Sequence, residues 1–366
     1  MTTPAEVARS IEYLRSREVG QSLARIAFDA RPLQPKTRHW GVSVVIDTLK
    51  AALSNEFNFI GLSPRYSESM ADEFWTWRRI PKCNTALFEL SPLLFRDFDL
   101  YWGANHFLPA ALRKPSVVTV HDMVLFRYPG EERFSRVLGR RILSSARRAH
   151  RIITDSQTTA DDLIKLCPDV RRKVDVGLLG YVPTEHRLSG PADSMPYVMV
   201  LGAHRPRKHV DLAIRAVAGL RERGTKLKLI VTGDVHHSFQ QLVNANRNFV
   251  EVTGVLPKQR VFELLASSHA LLFPSTYEGF GFPILDAMSV RCPVIALDTP
   301  INKETGGTAA AYLPDDPLAW SSMIADMLKA PARRTEMIES GVSNLKRFSW
   351  QRTADLYAET FRSVLD

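Results

Sequence analysis

Tyr277-Glu278-Gly279-Phe280-Gly281-Phe282-Pro283-Ile284-Leu285-Asp286 is a glycine-punctuated loop that runs into a helix. Pro283 suits the first helical turn, where its missing amide would have no partner anyway. Gly279 and Gly281 let the backbone approach a ligand closely. The apolar run Ala270 to Phe273 before the loop and Pro293 to Ala296 after the helix read as strands. A strand, loop, helix and strand in that order form one unit of a parallel α/β sheet.

The same alternation extends in both directions. Upstream, strands are expected at Tyr197 to Leu201, Lys226 to Thr232 and Val250 to Thr253, with helices at Val210 to Arg223 and Lys258 to Ser267. A polar stretch with three prolines, Val182 to Pro196, reads as a linker. Before it lie strands at Arg25 to Asp29, Phe57 to Leu62, Leu100 with Tyr101, Ser116 to Val120 and Arg151 to Thr154. Helices are expected at Val42 to Leu53 and from Ser156. Pro4 to Leu23 reads as an accessory helix, and Trp350 to Leu365 as a final helix after the loop Lys346 to Ser349. The fold class is therefore α/β with two Rossmann-like, doubly wound domains. Their expected bounds are 25–185 and 186–348, with 1–24 accessory and 349–366 a closing helix. Ligands of such sheets bind beyond the C-terminal strand ends, so the site is expected in a cleft between the domains.

Glu278 lies on the loop and Asp286 one turn into the helix. Ionised carboxylates only accept hydrogen bonds, which suits sugar hydroxyls. Free amides at a helix start attract an anion such as a diphosphate. An acidic first turn stabilised by the helix dipole is the alternative. Arg205, Arg207 and Lys208 follow the strand ending in Leu201-Gly202, placed to neutralise a departing diphosphate; a solvated basic loop is the alternative. His121 ends the strand Ser116-Val-Val-Thr-Val120. It could bond a sugar hydroxyl or a backbone carbonyl, or be a buried histidine capped by Asp122.

The chain has 366 residues, 45% of them hydrophobic, and a formal charge of +9. That length supports two cores at roughly 150 residues per domain. The charge favours acidic partners: nucleotide phosphates, anionic membrane surfaces or nucleic acid. No nucleic-acid recognition motif is visible and the basic residues are dispersed. No apolar run approaches the ~18 residues that span a bilayer, and Met1 to Ala30 lacks a signal-peptide core. Three dispersed cysteines, Cys83, Cys167 and Cys292, form no CxxC. A cytoplasmic protein, peripheral at most to the inner face of a membrane, is the expectation. No DxD-type metal site is evident. Asp72-Glu73 and Asp161-Asp162 fall in helix-like segments and read as solvated faces. A nicotinamide dehydrogenase is disfavoured, because Gly279-Phe280-Gly281 lacks a third glycine and leads into proline.

Glu278-x7-Asp286 within Pro-Ser-Thr-Tyr-Glu-Gly-Phe-Gly-Phe-Pro resembles the E-x7-E signature of the family-4 retaining glycosyltransferases, which have the two-domain GT-B fold. Val118-Thr-Val-His-Asp122, Ile153-Thr-Asp-Ser156, Leu201-Gly-Ala-His-Arg-Pro-Arg-Lys208, Val231-Thr-Gly233, Val252-Thr-Gly-Val-Leu256 and Cys292-Pro-Val-Ile295 agree in order and spacing. The resemblance covers roughly residues 25 to 365. It implies a nucleotide-diphosphate sugar (GDP-, UDP- or dTDP-linked) as donor and no cofactor or metal. It places Glu278, Phe280 and Gly281 at the donor sugar, with Gly279 and Phe282 in the same loop. Asp286 would hold the ribose, Arg207 and Lys208 the diphosphate, and His121 the transferred sugar. Gly41 would face the donor phosphates, and Val255 and Leu256 the base. Two positions depart from the pattern. Asp286 stands where the family has Glu, and Ala203 where relatives commonly carry Arg, so Arg205 is expected to take that role.

The resemblance also implies retaining transfer without a strong general base, because the departing diphosphate accepts the acceptor's proton. Glu278, His121, Lys208 and Arg207 form the expected catalytic group. A glycan or lipid-linked glycan acceptor is implied, with mannose the first expectation for the sugar and rhamnose the second. A catalytically silent sugar-nucleotide binder and a nucleotide-sugar epimerase are the alternatives. For docking to acceptor or membrane, Arg133 to Arg151 holds seven arginines and no acid. Arg133, Arg136, Arg140, Arg147 and Arg151 are expected on one helical stripe, and Phe134, Leu138, Ile142 and Ala149 on a core stripe. Trp75 and Trp77 form a second aromatic-basic cluster.

Overall fold

The computed structural model describes residues 23–33, 41–63, 76–79, 97–131, 134–184 and 195–366. The expected helix Pro4 to Leu23 apart from its last residue, Trp75 and Asp72-Glu73, and most of the proline-rich linker lie outside them. The chain divides into two compact units. The first comprises residues 1–126, 134–182 and 348–366; the second comprises 127–133 and 183–347.

The first unit holds a seven-stranded sheet: β1 (Ala24–Asp29), β2 (Phe57–Ser63), β3 (Thr76–Arg79), β4 (Leu100–Gly103), β5 (Ser116–Val120), β6 (Arg151–Thr154) and β7 (Val174–Val176). Their order is β3-β2-β1-β4-β5-β6-β7, with every pairing parallel. β4 and β5 are buried along their whole length, as parallel strands covered on both faces require. Helices α1 (Gly41–Leu53), α2 (Ser135–Arg148) and α3 (Gln157–Leu166) lie between strands. Ser156 caps α3, accepting from the Thr159 amide.

The C-terminal helix Trp350–Leu365 belongs to this unit. Tyr357 and Phe361 are fully buried with Trp102, and their rings meet it edge-on at 5.6 and 5.9 Å. The hydroxyls of Tyr357 and Thr119 lie 2.9 Å apart, and Trp102 Nε1 donates to the same Thr119 oxygen. At its start the helix presses on Gly180, where a Cβ would sit 2.3 Å from the Trp350 amide nitrogen.

The second unit has six parallel strands: β8 (Tyr197–Ala203), β9 (Lys228–Val235), β10 (Val250–Gly254), β11 (Leu271–Phe273), β12 (Val294–Leu297) and β13 (Ala310–Leu313). Their order is β10-β9-β8-β11-β12-β13. Helices α4 (Val210–Glu222), α5 (His237–Ala245), α6 (Lys258–Ser267) and α7 (Phe282–Ser289) alternate with them. Then follow α8 (Pro300–Gly306), α9 (Pro317–Lys329) and α10 (Pro331–Asn344). The core joins Val198, Val200, Leu229 and Val231 of the sheet to Ile214, Val217, Trp320 and Ile324 of the helices. Strand order reverses between β8 and β11, so this is the switch point at which an open α/β sheet leaves a crevice.

Several expectations change. Between Ala296 and Trp350 lie β13 and helices α8 to α10, which no expected element covers. The expected loop Lys346 to Ser349 overlaps a short 3-10 turn, Leu345–Arg347. Phe134, placed on a core stripe, is 61% exposed, because α2 begins only at Ser135 and Phe134 precedes its first turn. Arg151 is not on a free cationic face: it sits on β6 and pairs with Asp175 of β7 at 2.6 Å. Asp162 is buried on the inner side of α3, unlike its exposed neighbour Asp161.

Candidate active site

In the second unit, the loop after β8 and the loop after β11 flank the switch point and bring together residues 70 positions apart. Lys208 Nζ lies 2.6 Å from Glu278 Oε1, and Arg207 Nη1 lies 3.3 Å from Glu278 Oε2. Ser275 Oγ donates to Glu278 Oε1 at 2.5 Å. The Arg207 guanidinium also donates to the Tyr277 carbonyl at 2.9 Å. A short 3-10 turn, Pro206–Lys208, presents both cations, and His209 ends it in a left-handed conformation. Lys208 Nζ also lies over the Phe273 ring, 5.7 Å from its centroid. Burial alone would push the Glu278 carboxyl up. Lys208 and Arg207 more than offset this, so its pKa falls below the ordinary value. Burial and the cations Lys208, Arg205 and Arg207 together push His204 down.

Gly281 caps α7 with φ of 103°, a conformation that excludes most side chains. Pro283 falls in the first turn, as expected from sequence. The Phe280 carbonyl accepts from Thr305 Oγ1, and Asn302 Nδ2 donates to the Ser275 and Leu297 carbonyls. These bonds from α8 fix the loop that carries Glu278. Asp286 is half-buried on α7.

In the first unit, His121 follows β5 and is buried. Its Nδ1 lies 2.6 Å from Asp155 Oδ2, and its Nε2 lies 2.9 Å from the Ala104 carbonyl oxygen. Desolvation lowers its pKa and Asp155 raises it. The pair wins and the net shift is upward. The partner is Asp155, not Asp122, whose carboxylate instead accepts from the Val124 amide. Of the two contacts open to His121 on sequence, the structure gives the backbone carbonyl. His106 packs edge-on against it at 5.4 Å, with a buried Nδ1 that has no partner. Burial pushes His106 down to about 4.

The sequence model described as "Glycosyltransferase Family 4" matches residues 40–177, and the one described as "Glycosyl transferases group 1" matches residues 195–330. The chain is a family-4 glycosyltransferase. It is 28% identical over 284 residues to the O-antigen chain mannosyltransferase B of Escherichia coli, covering 70% of this chain and 72% of that one. It is 27% identical over 241 residues to the O-antigen chain mannosyltransferase RfbU of Salmonella typhimurium, covering 65% and 67%. Among solved structures, the Anabaena protein HepE in complex with UDP-glucose superposes with a TM-score of 0.71 at 17% identity. The match covers 93% of this chain and 99% of that one, and it places the glycosyltransferase in the GT-B fold.

The other residues singled out in the glycosyltransferase sequence belong to both units. Gly41 is the exposed first residue of α1. Val255 is 79% exposed just past β10, and Leu256 follows it. Gly254 before them lines a groove of about 550 Å³ together with Gly233, Asp234, Gln240, Asn244 and Arg247. Arg136 and Arg140 are exposed on α2, while Arg147 pairs with Asp169 at 3.3 Å. The side chain of Trp77 lies outside the described residues. Among the described residues, no three His, Cys, Asp or Glu side chains gather as a metal-binding group. None of their helices is long and apolar enough to cross a membrane.

Sequence reasoning missed Ser275, Asn302, Thr305, Asp155 and Glu131. Ser275 and Asp155 stand inside the quoted motifs, so their positions were in view. The other three carry no local pattern.

Proposed function

We propose that this glycosyltransferase is a retaining, metal-independent hexosyltransferase of surface-polysaccharide synthesis. It moves mannose, or failing that rhamnose, from a nucleotide-diphosphate sugar to a glycan or lipid-linked glycan. The observation that carries the reading is the Glu278–Lys208–Arg207 cluster at the switch point. It pairs an ionised carboxylate, suited to sugar hydroxyls, with two cations suited to a departing diphosphate. The choice of mannose rests on the two O-antigen mannosyltransferases.

In the proposed step the bond between the sugar anomeric carbon and the β-phosphate oxygen breaks. The acceptor oxygen bonds to that carbon on the same face, and its proton passes to the departing phosphate oxygen. Lys208 and Arg207 stabilise the leaving charge and Glu278 orients the sugar. The donor-loop residues Gly279 to Phe282 lie against the sugar and diphosphate, Asp286 holds the ribose, and Val255 with Leu256 flank the base. His121, its ring held by Asp155 and the Ala104 carbonyl, positions the transferred sugar.

A panel of GDP-, UDP- and dTDP-sugars tests the reading by thermal stabilisation. A donor at 100 times its dissociation constant adds about 2.7 kcal/mol of stability. GDP-mannose is expected to give the largest shift, and a UDP-sugar giving it would overturn the donor assignment. The anomeric configuration of the product, read by NMR, tests retention. Full turnover in excess EDTA is the expected result for metal independence.

The α2 surface is proposed to meet an anionic membrane. Exposed Arg136 and Arg140 stand beside exposed Phe134 and Val137, and basic groups near such a surface contribute ~1 kcal/mol each.

A further inference from the structure

The cation cluster at the switch point is not built from the β8 and β11 loops alone. Residues Arg127–Arg133 belong to the second unit, although the chain on both sides of them belongs to the first. This strap reaches the cluster at two points. The Tyr128 hydroxyl lies 2.5 Å from the Thr276 hydroxyl, and its ring lies 6.4 Å from that of Tyr277. Glu131 meets Arg207 directly. Its Oε2 accepts from Arg207 Nε at 3.1 Å, and its Oε1 accepts from the Arg207 backbone amide at 3.2 Å. Its backbone carbonyl accepts from Arg205 Nη1 at 2.7 Å.

The Glu131 side chain is 8% exposed and that of Arg207 18%. Glu131 thus ties the Arg207 side chain to the Arg207 backbone, on the Nε edge of the guanidinium. Glu278 and the Tyr277 carbonyl hold Nη1 on the other side. A planar guanidinium fixed at both Nε and Nη1 has its plane and direction set. An arginine without that support must lose rotamer freedom each time it binds an anion. Glu131 also places a negative charge close to the cluster, which opposes anion binding. The two effects predict opposite outcomes, so the role can be measured.

We propose that Glu131 is a positioning residue for glycosyl transfer, holding Arg207 in the orientation that receives the donor diphosphate. The proposal rests on the reading of Arg207 and Lys208 as the diphosphate clamp. Arg205 belongs to the same arrangement, tied to the strap through the Glu131 carbonyl.

The test uses the full chain with Glu131→Gln, Glu131→Ala and Glu131→Asp, and Lys208→Ala and Arg207→Ala as references. GDP, UDP, dTDP and inorganic pyrophosphate are the calorimetric probes. Turnover is measured with the nucleotide sugar whose diphosphate binds best. Glu131→Gln and Glu131→Ala are expected to weaken diphosphate binding and to lower kcat by about 10- to 100-fold, the scale of a misplaced catalytic group. Glu131→Asp should recover part of both, and Glu131→Ala added to Arg207→Ala should cost little more, since both remove one unit. Tighter diphosphate binding in Glu131→Ala would overturn the proposal and make Glu131 a competitor for the clamp. A lowered Tm with unchanged kcat and KM in the folded fraction would overturn it as well, leaving a structural role. If Glu131→Ala does not fold, the Gln and Asp variants decide by the same criteria. Wild-type diphosphate affinity in both Lys208→Ala and Arg207→Ala would instead sink the clamp reading itself.

Discussion

Arg207 lies between two carboxylates, Glu131 and Glu278, with Lys208 sharing the second. Removing one member of such a set leaves the others unbalanced in a partly buried place. Glu278→Ala and Lys208→Ala are each expected to lose most turnover, on the order of 100-fold or more, while remaining folded. Near-normal turnover in either, with circular dichroism unchanged, would remove that residue from the catalytic group. His209 offers a separate test. Hydrogen bonds to Asp211 and Asp315 raise it from 6.5 to about 9. A raised value means that the folded state binds the proton more tightly. The stabilisation is then full below about pH 6.5 and lost as pH rises through about 9. His209 has φ of 50°, which Asn tolerates. His209→Asn should therefore cost roughly 1 kcal/mol at pH 6 and much less at pH 10, read as the difference in Tm from wild type. A gap that does not shrink with pH would show that the ion pairs contribute nothing.

Among elements, the C-terminal helix has the most testable packing. Phe361 is fully buried against Phe57, Trp102 and Tyr357. Phe361→Ala is expected to cost about 3–5 kcal/mol in chemical denaturation. Gly180→Ala should cost about 1–3 kcal/mol, since the added methyl meets the Trp350 backbone, which cannot rotate away. A neutral Gly180→Ala would mean that this helix end shifts freely. On α2, Arg136→Glu with Arg140→Glu should abolish co-sedimentation with anionic vesicles and leave neutral vesicles unaffected; equal binding to both vesicle types by wild type would remove the membrane surface. The helix and strand positions were largely legible, because apolar periodicity and strand-end punctuation are local. Ser116–Val120, Lys258–Ser267 and Trp350–Leu365 match the sequence reading residue for residue. Phe134 shows the limit: apolar periodicity assigned it to a core, but helix α2 starts one residue later and leaves it exposed.

For the whole molecule, the chain passes four times between the units, at 126/127, 133/134, 182/183 and 347/348. Each unit has its own sheet and its own core, so each is expected to respond separately to ligand. A nucleotide diphosphate held by the second unit should raise the calorimetric transition of that unit, by about 2.7 kcal/mol at 100 times its dissociation constant. Two doubly wound units, the Gly281–Pro283 helix start, and the presence of cations after β8 and of a carboxylate after β11 are readable from the chain alone. Strand period, glycine freedom and helix-start chemistry act over a few residues, so a linear reading captures them. Which carboxylates meet Arg207, which aspartate holds His121 and which unit owns residues 127–133 emerge only on folding. Those outcomes depend on side chains 34 to 76 positions apart in the chain, brought together by the burial of two cores that no local pattern encodes.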